Sequence, residues 1–369
     1  MKVDYHWDKL RTCIVGRVYD PTVLSFIQNT KLRSTLEKIL IETAEDLDAL
    51  AELLKTFGVN VLRPNIPATP DSFVINSKIL PPPITPRDHM AMIGQTFYMP
   101  RTNNSVKWSQ LKGTSWPEQP PTNQKQFLDL PKELLNELEQ QWQITDVADL
   151  YNYDFTCYQN IENLVTKTNS IVYDQQIDSA MVMRLGKKLF FGTWPGDVKA
   201  NVLAKVRKLF PEYICEVIES QGHLDGCMNV LAPGLILSSP HISSDTLHEH
   251  FKDYEIINSN RHFFNNNAIS PAFKNNSSTW LVNGQAYDSQ LEDSINLYFK
   301  NWTGDINETY VDVNVLHIDP NNIISISCND SVVKKCSEYN INLHQFKFRH
   351  FPFWDSGVHC LTNDIDRYD

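Results

Sequence analysis

Residues 355–364 read DSGVHCLTND and place one cysteine, Cys360, among polar residues shortly after a glycine. Structural cysteines usually lie inside apolar strands, whereas a reactive thiol needs exposure and a neighbour that favours the thiolate. The stretch therefore predicts an exposed, nucleophilic thiol at Cys360. Such a nucleophile also needs a proton-transfer group and a substrate clamp, and the rest of the chain must supply both.

The length and composition of the chain are those of a globular protein. Its 369 residues are 41% hydrophobic and 21% charged, enough for one large domain or two to three smaller ones. Twelve of the 20 prolines fall in residues 63–131, which we expect to be a Pro-rich loop region with few regular elements. Residues 107–126 within it are a candidate lid.

Several function classes are disfavoured by the composition. The first eight residues lack the apolar core of a signal peptide, and no later run approaches the roughly 18 apolar residues of a membrane span, so we expect a cytosolic protein. Seven scattered cysteines fit reduced thiols better than disulfides or a zinc site, and the 13 glycines form no phosphate loop, so no metal or cofactor is expected. The net charge of -11 disfavours nucleic acid. It suits a small cationic substrate, although solubility alone also explains it.

Sequence periodicity predicts a mixed α/β fold. A strand at residues 12–16 precedes a helix that begins at a capping box of Ser34 and Glu37 and ends at Gly58. A hairpin is predicted around Pro233-Gly234. Further strands are expected at 59–62, 170–173, 180–185, 188–191, 213–218, 310–318, 322–327 and 341–348, and further helices at 132–142, 199–210, 244–251 and 289–301.

Polar residues set among strand-like sequence supply candidate partners for the thiol. In an extended segment His223 and Asp225 would share one face, offering a proton-transfer group and an anionic contact, although a structural hydrogen bond explains this pair equally well. Arg87-Asp88 also fits a loop ion pair, and residues 160–163 also fit a turn. His359 is a poorer candidate for the base, because neighbours in an extended chain point in opposite directions.

Four motifs in order along the chain resemble one known family. They are Trp7-Asp8 followed by residues 14–17 (IVGR); Pro86-Arg87-Asp88; residues 223–225 (HLD) running into 229–238 (NVLAPGLILS); and residues 357–362 (GVHCLT) with Asp364 and Arg367. Together they resemble glycine amidinotransferases and inosamine-phosphate amidinotransferases, members of the guanidino-group-modifying superfamily with the pentein fold. The resemblance implies one domain over residues 1–369, a five-bladed α/β propeller of ββαβ-type units with pseudo-fivefold symmetry.

The resemblance also implies a mechanism. Cys360 attacks the guanidinium carbon of a donor such as arginine, and His223 protonates the departing amine. The amidino group rests on sulfur until an acceptor amine, deprotonated by His223, replaces it. Asp88 and Asp225 hold the guanidinium by charge-assisted hydrogen bonds, and the bound cation lowers the pKa of the thiol. The implied partners are small molecules, not nucleic acid or membrane, and a homodimer stays open.

Departures from the family pattern predict altered donor recognition. An Asp-Ala-Ala-Asp-like segment of the family falls on residues 160–163, where Asn163 replaces the second Asp and Glu162 is a candidate substitute. An arginine that grips the donor carboxylate is missing from residues 239–243, and Asp312 stands for a serine expected before Asn314. The remaining candidates for substrate binding are therefore Asn163, Glu162, Asn314 and Asp312.

Three functions stay open on this reading. Amidino transfer is the one we favour. Water, instead of an amine, could resolve the same intermediate and release a ureido product, as in a hydrolase. A binding or regulatory protein on the same fold is the third alternative, with its catalysis weakened by Asn163. The acceptor could be glycine, another amino acid, a polyamine or an amino sugar.

Overall fold

The computed structural model describes residues 1–25, 27–66, 74–75, 78–79, 81–99, 155–173, 179–259, 311–327 and 330–368, together with positions 293, 295, 299, 302 and 303. The fold is mixed α/β, as predicted. Its helices are α1 (Thr30–Thr56), α2 (Gln159–Val165), α3 (Lys199–Leu209), α4 (Leu224–Cys227), α5 (Ser244–His250), α6 (Asp330–Glu338) and α7 (Phe351–Trp354). Within these ranges, no helix combines the length and the apolar composition of a membrane span.

Five three-stranded sheets form the described part of the chain, beside a short hairpin of β3 (Val74–Ile75) and β4 (Lys78–Ile79). The sheets are β1 (Leu10–Val15), β2 (Asn60–Leu62) and β17 (Thr362–Arg367); β5 (Ala91–Ile93), β6 (Thr96–Met99) and β7 (Ser170–Tyr173); β8 (Val182–Leu185), β9 (Lys188–Thr193) and β10 (Ile214–Glu219); β11 (Met228–Ala232), β12 (Leu235–Ser238) and β13 (Glu255–Asn258); and β14 (Leu316–Asp319), β15 (Asn322–Ser325) and β16 (Asn342–Gln345).

One pairing pattern recurs in all five sheets. The middle strand pairs antiparallel with one neighbour and parallel with the other. Antiparallel neighbours need only a tight turn, as at Gly234, where a φ of 87° favours glycine. Parallel neighbours need a longer crossover, which contains one of the helices α1, α2, α3, α5 and α6 in each of the five sheets. In the first sheet β17 pairs with β1, so strands from both ends of the chain meet there.

Helix α1 covers the first sheet with an apolar face, but it does not begin where the sequence predicts. Its N-cap is Asn29, whose side chain accepts hydrogen bonds from the backbone N–H groups of Lys31 and Leu32. The capping box was wrong because Ser34 lies inside the helix, and Glu37 forms an ion pair with Arg33 instead. Buried residues recur at helical spacing over the whole length: Leu32, Leu36, Ile39, Leu40, Leu47, Leu50 and Leu54.

Most predicted elements within the described ranges are confirmed to within a few residues, including the hairpin of β11 and β12. Residues 180–181 instead belong to a short 3-10 helix, and the strand predicted at 310–318 begins only at Leu316. The sequence did not predict α6, β17 or the apolar strands β5 and β6 within the Pro-rich region. The candidate lid, the helix at 132–142 and most of the helix at 289–301 lie outside the described residues.

A buried carboxylate, Asp364 on β17, binds three guanidinium groups at the centre of the fold. Arg87 donates to Asp364 Oδ1 at 2.6 Å, Arg184 on β8 donates to both oxygens at 2.7 Å, and Arg367 Nε donates to Oδ2 at 2.5 Å. Backbone carbonyls accept further donors of the arginines: Met92 O on β5 from Arg184, and His317 O on β14 from Arg367. This cluster therefore links four of the five sheets.

A buried histidine extends these polar contacts to the remaining sheet. One ring nitrogen of His6 lies 2.6 Å from Val230 O on β11, and the other lies 3.1 Å from Arg184 O. His317 Nε2 lies 3.2 Å from Leu231 O on the same strand. Satisfied polar groups at this depth are directional, so they fix the relative placement of the sheets more narrowly than apolar packing alone.

Replacing Asp364 with Asn should strongly destabilise the protein. The change leaves three buried guanidinium groups without their counter-charge, which costs on the order of 3–5 kcal/mol of unfolding free energy. The arginines hold the pKa of Asp364 well below its ordinary value of 3.8, so its stabilising effect is present above pH ~4 and is lost as pH falls. Urea unfolding from pH 3 to pH 7 tests both effects.

The matched control is Asp48→Asn, because Asp48 forms an exposed ion pair with Arg63. It should change the unfolding free energy by no more than about 1 kcal/mol. Equal losses in the two variants would contradict the assigned role of Asp364.

Candidate active site

Cys360 lies on a turn between α7 and β17, with its side chain in the interior. The predicted exposure was wrong, since only 4% of Cys360 is accessible. The turn is closed by the N–H of Leu361, which donates to Gly357 O at 3.2 Å. A side chain at position 357 would place its Cβ 2.4 Å from the Asn314 side chain, so glycine permits the approach of this turn to Asn314.

Asn314 holds the cysteine by both ends of its amide. Its Nδ2 donates to Cys360 Sγ at 2.9 Å, and its Oδ1 accepts the backbone N–H of Cys360 at 3.0 Å. The same Nδ2 lies 3.3 Å from Asp225 O. Asn314, which the sequence predicted to bind substrate, is fully buried and contacts the sulfur itself.

The Asp225 carboxylate lies beside the thiol and beside a histidine. Asp225 Oδ2 accepts from His359 Nδ1 at 2.7 Å and from Cys360 Sγ at 3.6 Å, while Oδ1 is buried without a hydrogen-bond partner in the described part of the chain. The sequence argument against His359 as the base assumed that the chain is extended there. This assumption was wrong, because residues 358–361 form a turn. Neighbouring side chains of this turn both reach Asp225.

Burial and two carboxylates make the thiol a weak acid. They raise the pKa of Cys360 well above its ordinary value of 9.0, through desolvation first and then through the charges of Asp225 and Asp88. The pKa of Asp225 is lowered although burial opposes the charge, because the hydrogen bond from His359, together with the charges of His223 and Arg87, outweighs burial. At neutral pH the site therefore holds a protonated thiol beside an ionised Asp225.

His223 is the N-cap residue of α4, a single helical turn that carries Asp225. The sequence argument assumed an extended segment here, and this assumption was wrong. The charge of His223 nevertheless lowers the pKa of Asp225. The His223 ring lies 6.1 Å from the ring of Trp194, which is 42% exposed on the turn after β9. His223 itself is half-buried.

The neighbouring residues Arg87 and Asp88 lie in different environments in the structure. Arg87 is fully buried in the cluster of guanidinium groups around Asp364. Asp88 is half-buried at the end of the same 3-10 helix, Pro86–His89, and its charge raises the pKa of Cys360. Instead of the simple loop ion pair considered from the sequence, Arg87 lies in the core, and the charge of Asp88 acts on the thiol.

The other predicted substrate-binding residues occupy different environments. Glu162 and Asn163 lie on α2, Glu162 buried and Asn163 exposed, and Gln159 on the same helix donates to both. Asp312 is buried and accepts a hydrogen bond from Ser259 at 2.7 Å. Their part in substrate binding stays a prediction.

A small cleft lies against the pair of Asp225 and His359, and His6, Arg184 and Asn229 also line it. The apolar side chains of Val182, Met183 and Met228 complete the lining, so the cleft has both polar and apolar walls. In the described ranges, no group of His, Cys, Asp and Glu side chains is arranged to hold a metal ion.

Solved structures similar to this one share its fold over nearly the whole chain. An inosamine-phosphate amidinotransferase from Streptomyces griseus is 14% identical with a TM-score of 0.60, and an amidinotransferase of saxitoxin biosynthesis from Microseira wollei is 15% identical with a TM-score of 0.62; each comparison covers 100% of this chain and 97% of the other. The N-terminal domain of a cyanobacterial arginine dihydrolase gives 10% identity and a TM-score of 0.51, covering 96% of this chain and 98% of the other. No protein-family model matches, and neither does any curated protein.

The chain has the pentein fold. This confirms the fold family that the four motifs predicted. In this pentein, residues of three of those motifs come together. The charges of Asp88 and Asp225 act on the thiol of Cys360. Arg87 and Arg367 both bind Asp364. The identities are too low to carry an activity across, so the pentein fold is what these comparisons establish.

Two residues of the site region were missed by the sequence argument. Arg184 interrupts an apolar strand, and a charge at a buried strand position is a signal of a paired, interior ion. His359 was rejected on an assumed extended geometry. The preceding Gly357 was a signal in the sequence that the backbone turns there, and the structure shows a left-handed Asp355, with a φ of 45°, just before it.

Replacing Asp225 with Asn should lower the pKa of the Cys360 thiol, because it removes one of the two charges that oppose the thiolate. We expect the midpoint of Cys360 alkylation by iodoacetamide, followed by mass spectrometry of its peptide across pH 7–11, to shift downward. Each pKa unit raises the thiolate fraction at neutral pH about tenfold.

Asp319→Asn, in a distant strand turn, is the control and should leave the midpoint unchanged. An unchanged midpoint in Asp225→Asn would show that its charge does not act on the thiol.

Proposed function

We propose that the protein is an amidinotransferase in which Cys360 carries the amidino group of a guanidino donor. The observation that carries this proposal is the buried thiol of Cys360 facing two carboxylates, Asp225 and Asp88, in a fold shared with two amidinotransferases. A guanidinium is planar, cationic and rich in N–H donors, so carboxylates bind it through charge-assisted hydrogen bonds. The site offers this electrostatic complement next to a nucleophile.

The electrostatics of the empty site favour a cationic substrate over a neutral one. Asp225 and Asp88 raise the pKa of the thiol, so a neutral electrophile meets an unreactive S–H group. A guanidinium between the two carboxylates offsets their charge and stabilises the thiolate. The nucleophile then forms only when its substrate is present.

The reaction proceeds in two balanced steps. The Cys360 thiol gives its proton to His223 as its sulfur forms a bond to the guanidinium carbon, the bond from that carbon to the substituted nitrogen breaks, and His223 passes the proton to the departing amine. The acceptor amine then loses a proton to His223 and attacks the same carbon, and the S–C bond breaks to return the thiolate, which His223 reprotonates. His223 suits both transfers because an imidazole accepts and donates protons near neutral pH, and because it begins the helical turn that carries Asp225 beside the thiol.

Transfer is favoured over hydrolysis because the motifs that resemble a family are those of amidinotransferases. We also propose that the five sheets close into a five-bladed propeller around the cluster of Asp364. The strands β1 and β17, far apart in sequence, pair in the first sheet, as such a ring requires, and the polar cluster contacts strands of four of the five sheets.

Incubation with arginine and a panel of amines should give ornithine and a new guanidino compound, with one amidino group added to the Cys360 peptide. Cys360→Ala should abolish turnover, and His223→Asn should reduce it about 10²–10⁴-fold because proton transfer is lost. Cys215→Ala is the matched control, since Cys215 lies on β10 and away from the site.

A ureido product formed without any amine would identify a hydrolase instead. If no guanidino compound adds mass to Cys360, the enzymatic function fails.

Trp194 is placed to contact the acceptor, since an amine that exchanges a proton with His223 lies next to its ring. An indole face attracts a cationic amine by about 0.5–1 kcal/mol at an exposed site. We expect Trp194→Ala to raise the KM for the acceptor several-fold while leaving formation of the S-amidino intermediate unchanged. Val198→Ala, an exposed residue of the same loop, should change neither value. An equal loss in both half-reactions would exclude an acceptor-specific contact.

A further inference from the structure

We infer that His359 is a positioning residue that holds Asp225 ionised with Oδ2 occupied, leaving Oδ1 to accept the N–H groups of the substrate. The first part concerns His359 and Asp225 alone. The second part, the binding of a guanidinium by Oδ1, rests on the proposed function.

The geometry of the pair supports this assignment. His359 Nδ1 lies 2.7 Å from Asp225 Oδ2, and both side chains are almost completely buried. His359 belongs to the turn of Cys360, and Asp225 belongs to α4, so the hydrogen bond fixes the carboxylate relative to the thiol. The backbone N–H of Thr362 donates to His359 O at 3.1 Å, and the hydroxyl of Thr362 donates to Val358 O at 2.9 Å, so the turn itself is rigid.

The two oxygens of Asp225 are not equivalent. Oδ2 accepts from His359 and from the thiol, whereas Oδ1 is buried and accepts from no described residue. A buried carboxylate oxygen without a donor is costly, and a ligand that donates to it removes this cost. A guanidinium that reaches the sulfur also comes close to Oδ1, because the other oxygen of the same carboxylate lies 3.6 Å from Cys360 Sγ.

The charged groups around Asp225 explain why it needs His359. Burial alone would protonate the carboxylate, and His223, Arg87 and His359 oppose this, with His359 contributing most. Arg87 is bound to Asp364, and the charge of Asp88 acts on the Cys360 thiol. His359 is itself kept neutral, since burial and Arg87 lower its pKa, so it donates its Nδ1 proton as a neutral ring. Removing this donor should raise the pKa of Asp225.

The test compares His359→Leu, which removes the N–H donor, with His359→Asn, whose amide Nδ2 restores a donor near the position of Nδ1. Titration of the Asp225 carboxyl carbon by NMR, in protein labelled with ¹³C-aspartate and assigned through Asp225→Asn, reads the ionisation directly. We expect a raised Asp225 pKa in His359→Leu and a nearly native value in His359→Asn. His344→Leu, in a distant sheet, controls for the loss of a partly buried histidine.

Binding of methylguanidinium in a Cys360→Ala background gives the second readout. With native His359, affinity should be flat from pH 5.5 to 8. In His359→Leu it should be weakened about tenfold or more at pH 6 and recover as pH rises, because each unit of raised pKa is a tenfold loss of the carboxylate below it. His359→Asn should restore the flat profile, which a general loss of packing would not do.

The outcomes separate the two proposals. An unchanged Asp225 titration in His359→Leu, or an equal change in His359→Asn, overturns the positioning role whether or not a guanidinium binds. A raised Asp225 pKa in His359→Leu alone, with no binding of methylguanidinium by any variant, supports the positioning role and overturns the proposed function.

Discussion

The ion cluster of Asp364 with Arg87, Arg184 and Arg367 is the interaction on which the rest of the structure depends. One carboxylate cannot neutralise three guanidinium groups, and backbone carbonyls accept further donors of Arg184 and Arg367. Buried charges are costly to desolvate, and this cost is met only when every sheet is in place. Since Cys360 precedes Asp364 by four residues, the same cluster fixes the position of the thiol.

The surroundings of the site act in opposite directions on its two acidic groups: they disfavour the charged form of Cys360 and favour the charged form of Asp225. Burial and carboxylates suppress the thiolate, while the arginine cluster and two histidines keep Asp225 ionised although it is buried. The thiol is thus protonated, while the carboxylate beside it is ionised and has one oxygen, Oδ1, without a donor among the described residues. A planar cation suits both groups, which is why the chemistry of the residues favours a guanidino substrate.

Local patterns predicted much of the fold, because alternation and turn residues act over short distances. The hairpin at Gly234 and the helix over residues 199–210 were found in this way, and the motif resemblance gave the pentein fold. The sequence failed where long-range contacts decide: Cys360 is polar in its neighbourhood yet buried by Asn314, which lies 46 residues away. His359 was rejected from strand geometry, whereas a turn directs it to Asp225. Nothing local distinguishes Asn29 from Ser34 as the N-cap.

The pairing of β1 with β17 has a consequence for the timing of assembly. β1 emerges early from the ribosome, but its antiparallel partner and the turn of Cys360 are made only when translation approaches Arg367. Until Asp364 is made, the arginines already synthesised have no carboxylate to bind. Until Cys360 is made, Asn314 has no thiol to contact. Because contacts of such high sequence separation form slowly, we expect the pairing of β1 with β17 and the surroundings of Cys360 to be completed late in folding.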